Sequence, residues 1–321
     1  MTIRVNVDNF CRAETDRMFK DLQAAAGGVN RFLHNREPAA IDEQTVIRLN
    51  RDTLYSFAVV DVTSGATLHL PDPGDRYLTA IVVNEDHYVN AVFHGAGDHE
   101  LTLEQHGTPH VVVAVRILVD PGDPNDVATV LKLQEGIRIT GGGAAAFVYP
   151  DYDEASLKET RDALLSLARN LTGFDRMFGA VGEVDPVRHL IGTAAGWGGL
   201  PTSEASYIGV DPRLPVGHYE LTVRDVPVDG FWSISVYNAE GRFEPNDRDA
   251  YTVNNITGVP NPDGSITVRF GDFPEDVPNA IPITEGWNYL VRLYRPRPEI
   301  LDGSWALPAL TTVDAAGTMA T

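Results

Sequence analysis

Six of the nine histidines of this chain fall between His69 and His110. His87 directly follows two acids, Glu85 and Asp86, and sits just past the end of an apolar run. If the chain folds back between them, His87 and His94 converge with a carboxylate on one transition metal. Neutral imidazole plus carboxylate suits Fe, Ni, Cu or Zn. Against this, the spacing matches no fixed ligand pattern, and the pair reads more readily as turn and edge histidines without a shared partner. His99, His106 and His110 lie among polar turn residues and read as solvated. A metal-free site would instead use Asp52, Asp86 and His87 as acid–base groups.

Arg51 and Asp52 place two charges in a turn between apolar runs. Arg51 could clamp a substrate carboxylate or phosphate with Asp52 orienting it, or the pair could be a structural salt bridge. The same reading expects a charge-assisted contact from this turn to the Asn84-to-Tyr88 segment. Arg116 and Arg292 lie inside apolar strands, where a guanidinium needs an acceptor. Asp52, Asp61 or Asp86 would serve Arg116, and Asp229 or Glu240 would serve Arg292. Along the run from Phe231 to Asn238, strand alternation puts Trp232, Ile234 and Val236 on one face and Phe231, Ser233, Ser235 and Tyr237 on the other. The Ser/Tyr face could line a pocket, although each aromatic reads first as core. Trp197 sits in a Gly-rich loop, where function concentrates. His189 follows Asp185 by four residues and is an acid–base candidate that more commonly caps or packs. The candidate substrate-binding set is Arg51, Tyr55, Arg116, Trp197, Trp232, Tyr237 and Asn238.

No Gly-x-Ser-x-Gly elbow, P-loop or His-Glu-x-x-His occurs, so no nucleotide cofactor is expected. The formal net charge of −20 argues against nucleic acid and anionic membrane surfaces as partners. Expected instead are a small-molecule ligand, one transition metal in the metal-assisted reading, and an oligomeric state left open. The one cysteine, Cys11, allows no intrachain disulfide. The N-terminal run is polar without an apolar h-region, and no stretch approaches the roughly 20 apolar residues of a membrane span. A cytoplasmic location follows as the expectation.

Two related runs must position these residues. Ser56-Phe-Ala-Val-Val, Thr67-Leu-His-Leu-Pro71 and Asp75-Arg-Tyr-Leu-Thr-Ala-Ile-Val-Val-Asn84 are echoed by Ser206-Tyr-Ile-Gly-Val, Tyr219-Glu-Leu-Thr-Val223 and Asp229-Gly-Phe-Trp-Ser-Ile-Ser-Val-Tyr-Asn238. Each series ends in a strand bearing an arginine, Arg116 or Arg292. The echo predicts two equivalent β-units with these arginines in matching places. Frequent turn signals predict many short strands. Asn261-Pro-Asp-Gly264 reads as a hairpin turn. Asn9, Asp123-Pro124, Asp153 and Asp185-Pro186 open four helices. Gly141-Gly-Gly143 reads as a flexible joint, and Thr45 to Asp61 as extended on both sides of the Arg51-Asp52 turn.

The runs Asn50-Arg-Asp-Thr-Leu-Tyr-Ser56, Asn84-Glu-Asp-His-Tyr88 and Leu133-Gln134 resemble the domain-of-unknown-function family 1254. Gly230-Phe-Trp-Ser-Ile-Ser-Val-Tyr-Asn238, Asp263-Gly-Ser265, Trp287-Asn288, Val291-Arg-Leu-Tyr-Arg-Pro296 and Asp302-Gly-Ser-Trp305 resemble its C-terminal companion, family 1214. The resemblance implies two tandem β-rich domains with helices between them, and no assigned catalytic residues. The expected fold is mainly β (α+β), with two β-sandwich or jelly-roll-like domains and a helical connector. Its parts are 1–140, a β-rich domain with a leading helix; 141–200, the connector; 201–310, a second sandwich; and 311–321, a flexible tail. The expected function is an enzyme acting on a small polar or amphipathic molecule near the domain junction, by metal-assisted hydrolysis or oxidation. The alternative is a non-catalytic ligand-binding or assembly protein.

Overall fold

A computed structural model describes residues 2–44, 47–169, 171 and 173–314. In chain order the elements are α1 (Phe10–Ala26), β1 (Leu33–His34), β2 (Thr53–Asp61), β3 (Ala66–Leu70), β4 (Leu78–Asn84), β5 (Val89–His94), β6 (Gly97–Leu101), α2 (Leu103–His106), β7 (His110–Leu118), α3 (Pro124–Gly136), β8 (Arg138–Gly141), α4 (Glu154–Ala168) and α5 (Pro186–Gly196). There follow β9 (Ala205–Val210), β10 (Tyr219–Val223), β11 (Trp232–Tyr237), β12 (Thr252–Asn254), β13 (Ile266–Phe270), β14 (Ala280–Ile281), β15 (Asn288–Tyr294), α6 (Pro298–Leu301) and β16 (Thr311–Thr312). Among the described residues no helix is long and apolar enough to cross a membrane.

Capping chemistry sets the helix starts. The carboxylates of Asp123, Asp153 and Asp185 accept the first free N–H groups of α3, α4 and α5, those of Asn125, Ala155, and Val187 with Arg188. Asn9 precedes α1 without capping it by side chain; its Oδ1 accepts the Asn6 N–H instead. Gly27 ends α1 at φ 74°, a left-handed conformation that costs glycine nothing.

The chain divides into two units, residues 1–36 with 53–202, and 37–52 with 203–321. In the first, a five-stranded sheet of order β1-β2-β7-β4-β5 faces a three-stranded sheet of order β6-β3-β8. Leu54, Val60, Leu68, Leu78, Val113 and Ile117 form the core between them, and α3 adds Val130. A second cluster joins α1, α4 and α5 through Phe10, Ala13, Leu157, Leu164 and Ile191, and α1 packs on β2. Strand β7 is buried along its whole length, which is why it reads as an unbroken apolar run with one arginine in it.

In the second unit the orders are β12-β11-β15-β9 and β14-β13-β10-β16. All pairs are antiparallel except β13 with β14. Trp232, Ile234, Val236, Val268, Phe270, Tyr289 and Val291 form the core, so the alternation read along β11 holds. The fold is mainly β, and among the described residues no sheet closes into a barrel.

The repeat extends to pairing. The order β2-β7-β4-β5 in the first unit matches β9-β15-β11-β12 in the second, and β6-β3-β8 matches β13-β10-β16. Arg116 lies opposite Tyr55 and Thr79, and Arg292 lies opposite Tyr207 and Ser233. Both arginines therefore sit on the central strand of a sheet, beside a tyrosine on one neighbour and a hydroxyl residue on the other.

Several expectations change. The 141–200 segment is no separate connector, because α4 and α5 pack with α1 inside the first unit. The Gly141–Gly143 run is packed rather than loose. The Gly143 N–H donates to Asp61 O, and a Cβ there would lie 2.1 Å from the Asp61 carboxylate. Asn261 to Gly264 form a turn but no hairpin, since β12 pairs with β11 while β13 pairs with β10. Before the charged turn, Ile47 and Arg48 form a turn, and Thr45 and Val46 lie outside the described residues. In the expected tail, Thr311 and Thr312 pair with Glu220 and Tyr219, and 315–321 lie outside the described residues.

Candidate functional site

The turn between β4 and β5 builds a buried polar cluster in the first unit. Asn84 organises it: its Oδ1 accepts the N–H groups of Asp86 and Tyr88, and its Nδ2 donates to His106 O. His87 then takes a left-handed backbone, φ 67°, and turns its ring fully inward, at 0 % exposure. Its Nε2 accepts the Gly198 N–H at 2.8 Å, and its Nδ1 lies 2.8 Å from Thr193 Oγ1. The Thr193 hydroxyl donates to His189 O, so the network assigns the His87 proton to Nδ1. The ring stacks with Trp197 at 5.5 Å and with His189 at 5.4 Å. Burial, helped by the charge of His189, holds its basicity well below the usual histidine range.

His87 is thus a neutral imidazole with both nitrogens committed to protein partners. It has no lone pair left for a metal, and the His87–His94 metal reading fails for that reason. Nor does any group of three His, Cys, Asp or Glu side chains among the described residues form a metal-binding set. His94 ends β5, opposite Thr79. Replacing His87 by Asn, which tolerates the left-handed backbone, should lower stability by about 1–3 kcal/mol, because the Gly198 N–H and Thr193 hydroxyl lose a partner. Urea unfolding checks this, and an unchanged midpoint would show that the two bonds contribute nothing.

Helix α1 supplies the charged side of the cluster, through Arg12, Thr15 and Asp16 at helical spacing. Arg12 binds both acids of the turn: Nε and Nη2 reach Asp86 at 2.8 and 2.7 Å, and Nη1 reaches Glu85 at 3.0 Å. The Trp197 indole donates to Thr15 Oγ1 at 3.1 Å. Asp16 is 3 % exposed; its Oδ2 accepts the Tyr152 hydroxyl at 2.8 Å, and its Oδ1 has no hydrogen-bond partner. Burial raises its pKa to about 6, assisted by the charges of Glu85 and Asp86 and opposed by Tyr152 and Arg12. Beside it, Glu14 ties α1 to α4 by accepting from Arg17 and Arg161.

Arg116 closes the cluster from the sheet. Its Nη2 donates to Gly198 O at 2.7 Å, and its guanidinium lies over the Tyr55 ring at 5.3 Å. The Gly198 residue is therefore held at its N–H by His87 and at its C=O by Arg116. Four residues chosen from sequence, Tyr55, His87, Arg116 and Trp197, meet here, with Asp86 one position away.

The remaining candidates belong to the second unit. Arg51 donates to Ala39 O and lies over the Tyr251 ring. Asp52, 2 % exposed, accepts from Asn254 Nδ2 at 3.2 Å. Neither takes its partner from the Asn84-to-Tyr88 segment, whose acids bind Arg12 instead. Burial pushes the Asp52 carboxyl up, offset by the charge of Arg292 and by Ser233 and Asn254. Arg292 does not use Asp229, which pairs with Arg297, or Glu240. It donates to Ser235 Oγ, Tyr237 OH, Arg48 O and Leu49 O at 2.7 to 3.1 Å. Trp232 is core. Asn238 organises its own turn, accepting from Glu240 and Arg242 and donating to Glu244. Tyr237 and Asn238 border a shallow recess open to solvent, whose Asn238, Glu244 and Asn246 bond to one another or to the local backbone.

Arg12, Asp16, Thr193 and Tyr152 escaped the sequence reading. A usable signal was present in α1: Arg12 and Asp16 share a helix face with Phe19, which has to be buried. Charges on an apolar face imply partners inside.

Residues 29–100 match the family described as "Protein of unknown function (DUF1254)", and residues 214–298 the one described as "Protein of unknown function (DUF1214)". No curated protein is similar enough to count as a match. Among solved structures, the VPA0106 protein of Vibrio parahaemolyticus is similar over 97 % of this chain and 100 % of its own, at 19 % identity and a TM-score of 0.71. A putative uncharacterized protein from Burkholderia cenocepacia is similar over 97 % of this chain and 88 % of its own, at 14 % identity and a TM-score of 0.55. At these identities the likeness is one of fold.

Proposed function

We propose that this chain is an enzyme that transfers a proton to or from a small polar molecule, with Asp16 of the first unit as the acid–base group. One observation carries the reading: Asp16 is buried, keeps one carboxylate oxygen without a hydrogen-bond partner, and has a pKa raised to about 6. A carboxyl poised near neutrality and flanked by a specific cation is the signature of a proton-transfer site. The Arg12–Asp86–Glu85 pairing beside it supplies a fixed charge pattern to orient a polar ligand. His87 and Arg116 act as positioning groups that hold the Trp197–Gly198 turn. The single cysteine fits a reducing cytoplasmic compartment, and the partner in this reading is a small molecule.

A second reading, a rigid ligand-binding or assembly scaffold, draws on the internal satisfaction of His87 and Arg292. Turnover of a panel of small aldehydes and ketones, followed against pH, separates the two. The enzyme reading expects conversion with a limb near pH 6 that is lost in Asp16→Asn while the circular dichroism spectrum is kept. A panel without turnover, or turnover that Asp16→Asn leaves intact, overturns it in favour of the scaffold.

A further inference from the structure

On the three-stranded sheet of the first unit, away from the cluster above, three side chains form a second hydrogen-bonded array. His69 of β3 places Nδ1 2.5 Å from Asp98 Oδ1 of β6 and Nε2 2.6 Å from Thr140 Oγ1 of β8. The register brings this about. His69 lies directly opposite Asp98 on one side, and Thr67, its neighbour on the same face, lies opposite Thr140 on the other. Leu68 and Leu70 occupy the core face of β3, so His69 and Thr67 point away from the core. The protonation pattern follows from donor count. A carboxylate only accepts, so Nδ1–H donates to Asp98; in the neutral imidazole Nε2 is then an acceptor, and the Thr140 hydroxyl donates to it. The His69 side chain is mostly shielded, at 14 % exposure, while Thr140 is exposed.

We propose that Asp98, His69 and Thr140 form a nucleophilic triad that accepts acyl groups from small activated esters. Its parts stand in the order such chemistry needs: a hydroxyl, a base within hydrogen-bond reach, and a carboxylate that fixes the base's tautomer. Thr140 Oγ attacks the ester carbonyl as its proton passes to His69 Nε2. The carbon–alkoxide bond breaks, and the leaving alcohol takes that proton from the imidazolium. Water then repeats the sequence on acyl-Thr140, releasing the carboxylic acid and restoring the hydroxyl. Arg138 lies opposite His69 on the same face as Thr140, is exposed, and makes no hydrogen bond or ion pair among the described residues. Its guanidinium is the cation available for the charge that develops on the carbonyl oxygen. Thr140 is exposed on an outer sheet face, so the substrate class is limited to small acyl groups on good leaving groups.

The test uses the full chain and p-nitrophenyl acetate. The expected result is a burst of nitrophenolate and an acetyl adduct mapped to Thr140 by tandem mass spectrometry. Thr140→Val should abolish the adduct and Thr140→Ser should keep it. His69→Gln should slow acylation about tenfold or more, and Asp98→Asn should slow it less. Arg297→Ala, at an exposed ion pair of the second unit, should leave it unchanged. Melting curves of the variants should overlay the parent's, because the altered side chains lie on the sheet's outer face. An adduct on lysines or the N-terminus, or one that persists at the parent rate in His69→Gln, overturns the proposal.

Discussion

Arg292→Met is expected to destabilise the second unit by about 3–5 kcal/mol, the usual cost of removing one member of a buried charge network. Methionine nearly restores the volume but none of the donors. The guanidinium is 2 % exposed and serves Ser235, Tyr237 and two carbonyls of the 48–49 segment. Without it, those acceptors stay buried and unpaired, and Asp52 loses the positive charge that favours its ionised form. At a urea slope of roughly 1–3 kcal/mol/M, the midpoint should fall by more than about 1 M. Arg297→Ala, which breaks the exposed pair with Asp229, is the control and should leave the midpoint unmoved. If the two variants unfold alike, Arg292 is not what pins the 48–52 segment to β11 and β15.

The role of Arg292 also marks how far the sequence could be read. An arginine inside an apolar strand had to find acceptors, and its recurrence at Arg116 correctly implied two units with matching pairing orders. Helix starts were legible because Asp123, Asp153 and Asp185 act through the next two or three residues. What failed was long-range. The Asn261-to-Gly264 turn has good local chemistry, yet the strands on either side of it enter different sheets. Residues 37–52 precede β2 in the chain but belong to the second unit, where Arg51 and Asp52 find Ala39, Tyr251 and Asn254. The histidine cluster suggested a metal because composition cannot show that Gly198 and Thr193, more than 100 positions away, occupy both nitrogens of His87. Asp16 was invisible for the same reason, since its environment comes from Tyr152 and from the β4–β5 turn.

Asp16→Asn should change the pH dependence of stability by about 2–3 kcal/mol between pH 4 and pH 7. The folded-state pKa is raised from 3.8 to about 6, so the native state holds this proton more tightly than the unfolded chain does. The stabilisation from that proton is fully present below about pH 4. It is lost as pH rises to about 6, and above that the ionised carboxylate costs the fold about 1.4 kcal/mol for each unit of the shift. Other titrating groups, such as Glu14, whose pKa is lowered despite burial by Arg17 and Arg161, impose their own slopes. They are common to both proteins, and those not coupled to Asp16 cancel in the difference. Relative to the parent, the Asn variant should therefore gain stability from pH 4 to about pH 6 and level off towards pH 7 in urea unfolding, whatever fixed offset its amide introduces. Parallel curves would place the Asp16 pKa near the ordinary value and remove the support for a proton-transfer role. A rising difference combined with lost turnover would mean that the carboxylate is retained at the expense of stability. A purely structural residue in that position would have been better served by a neutral side chain.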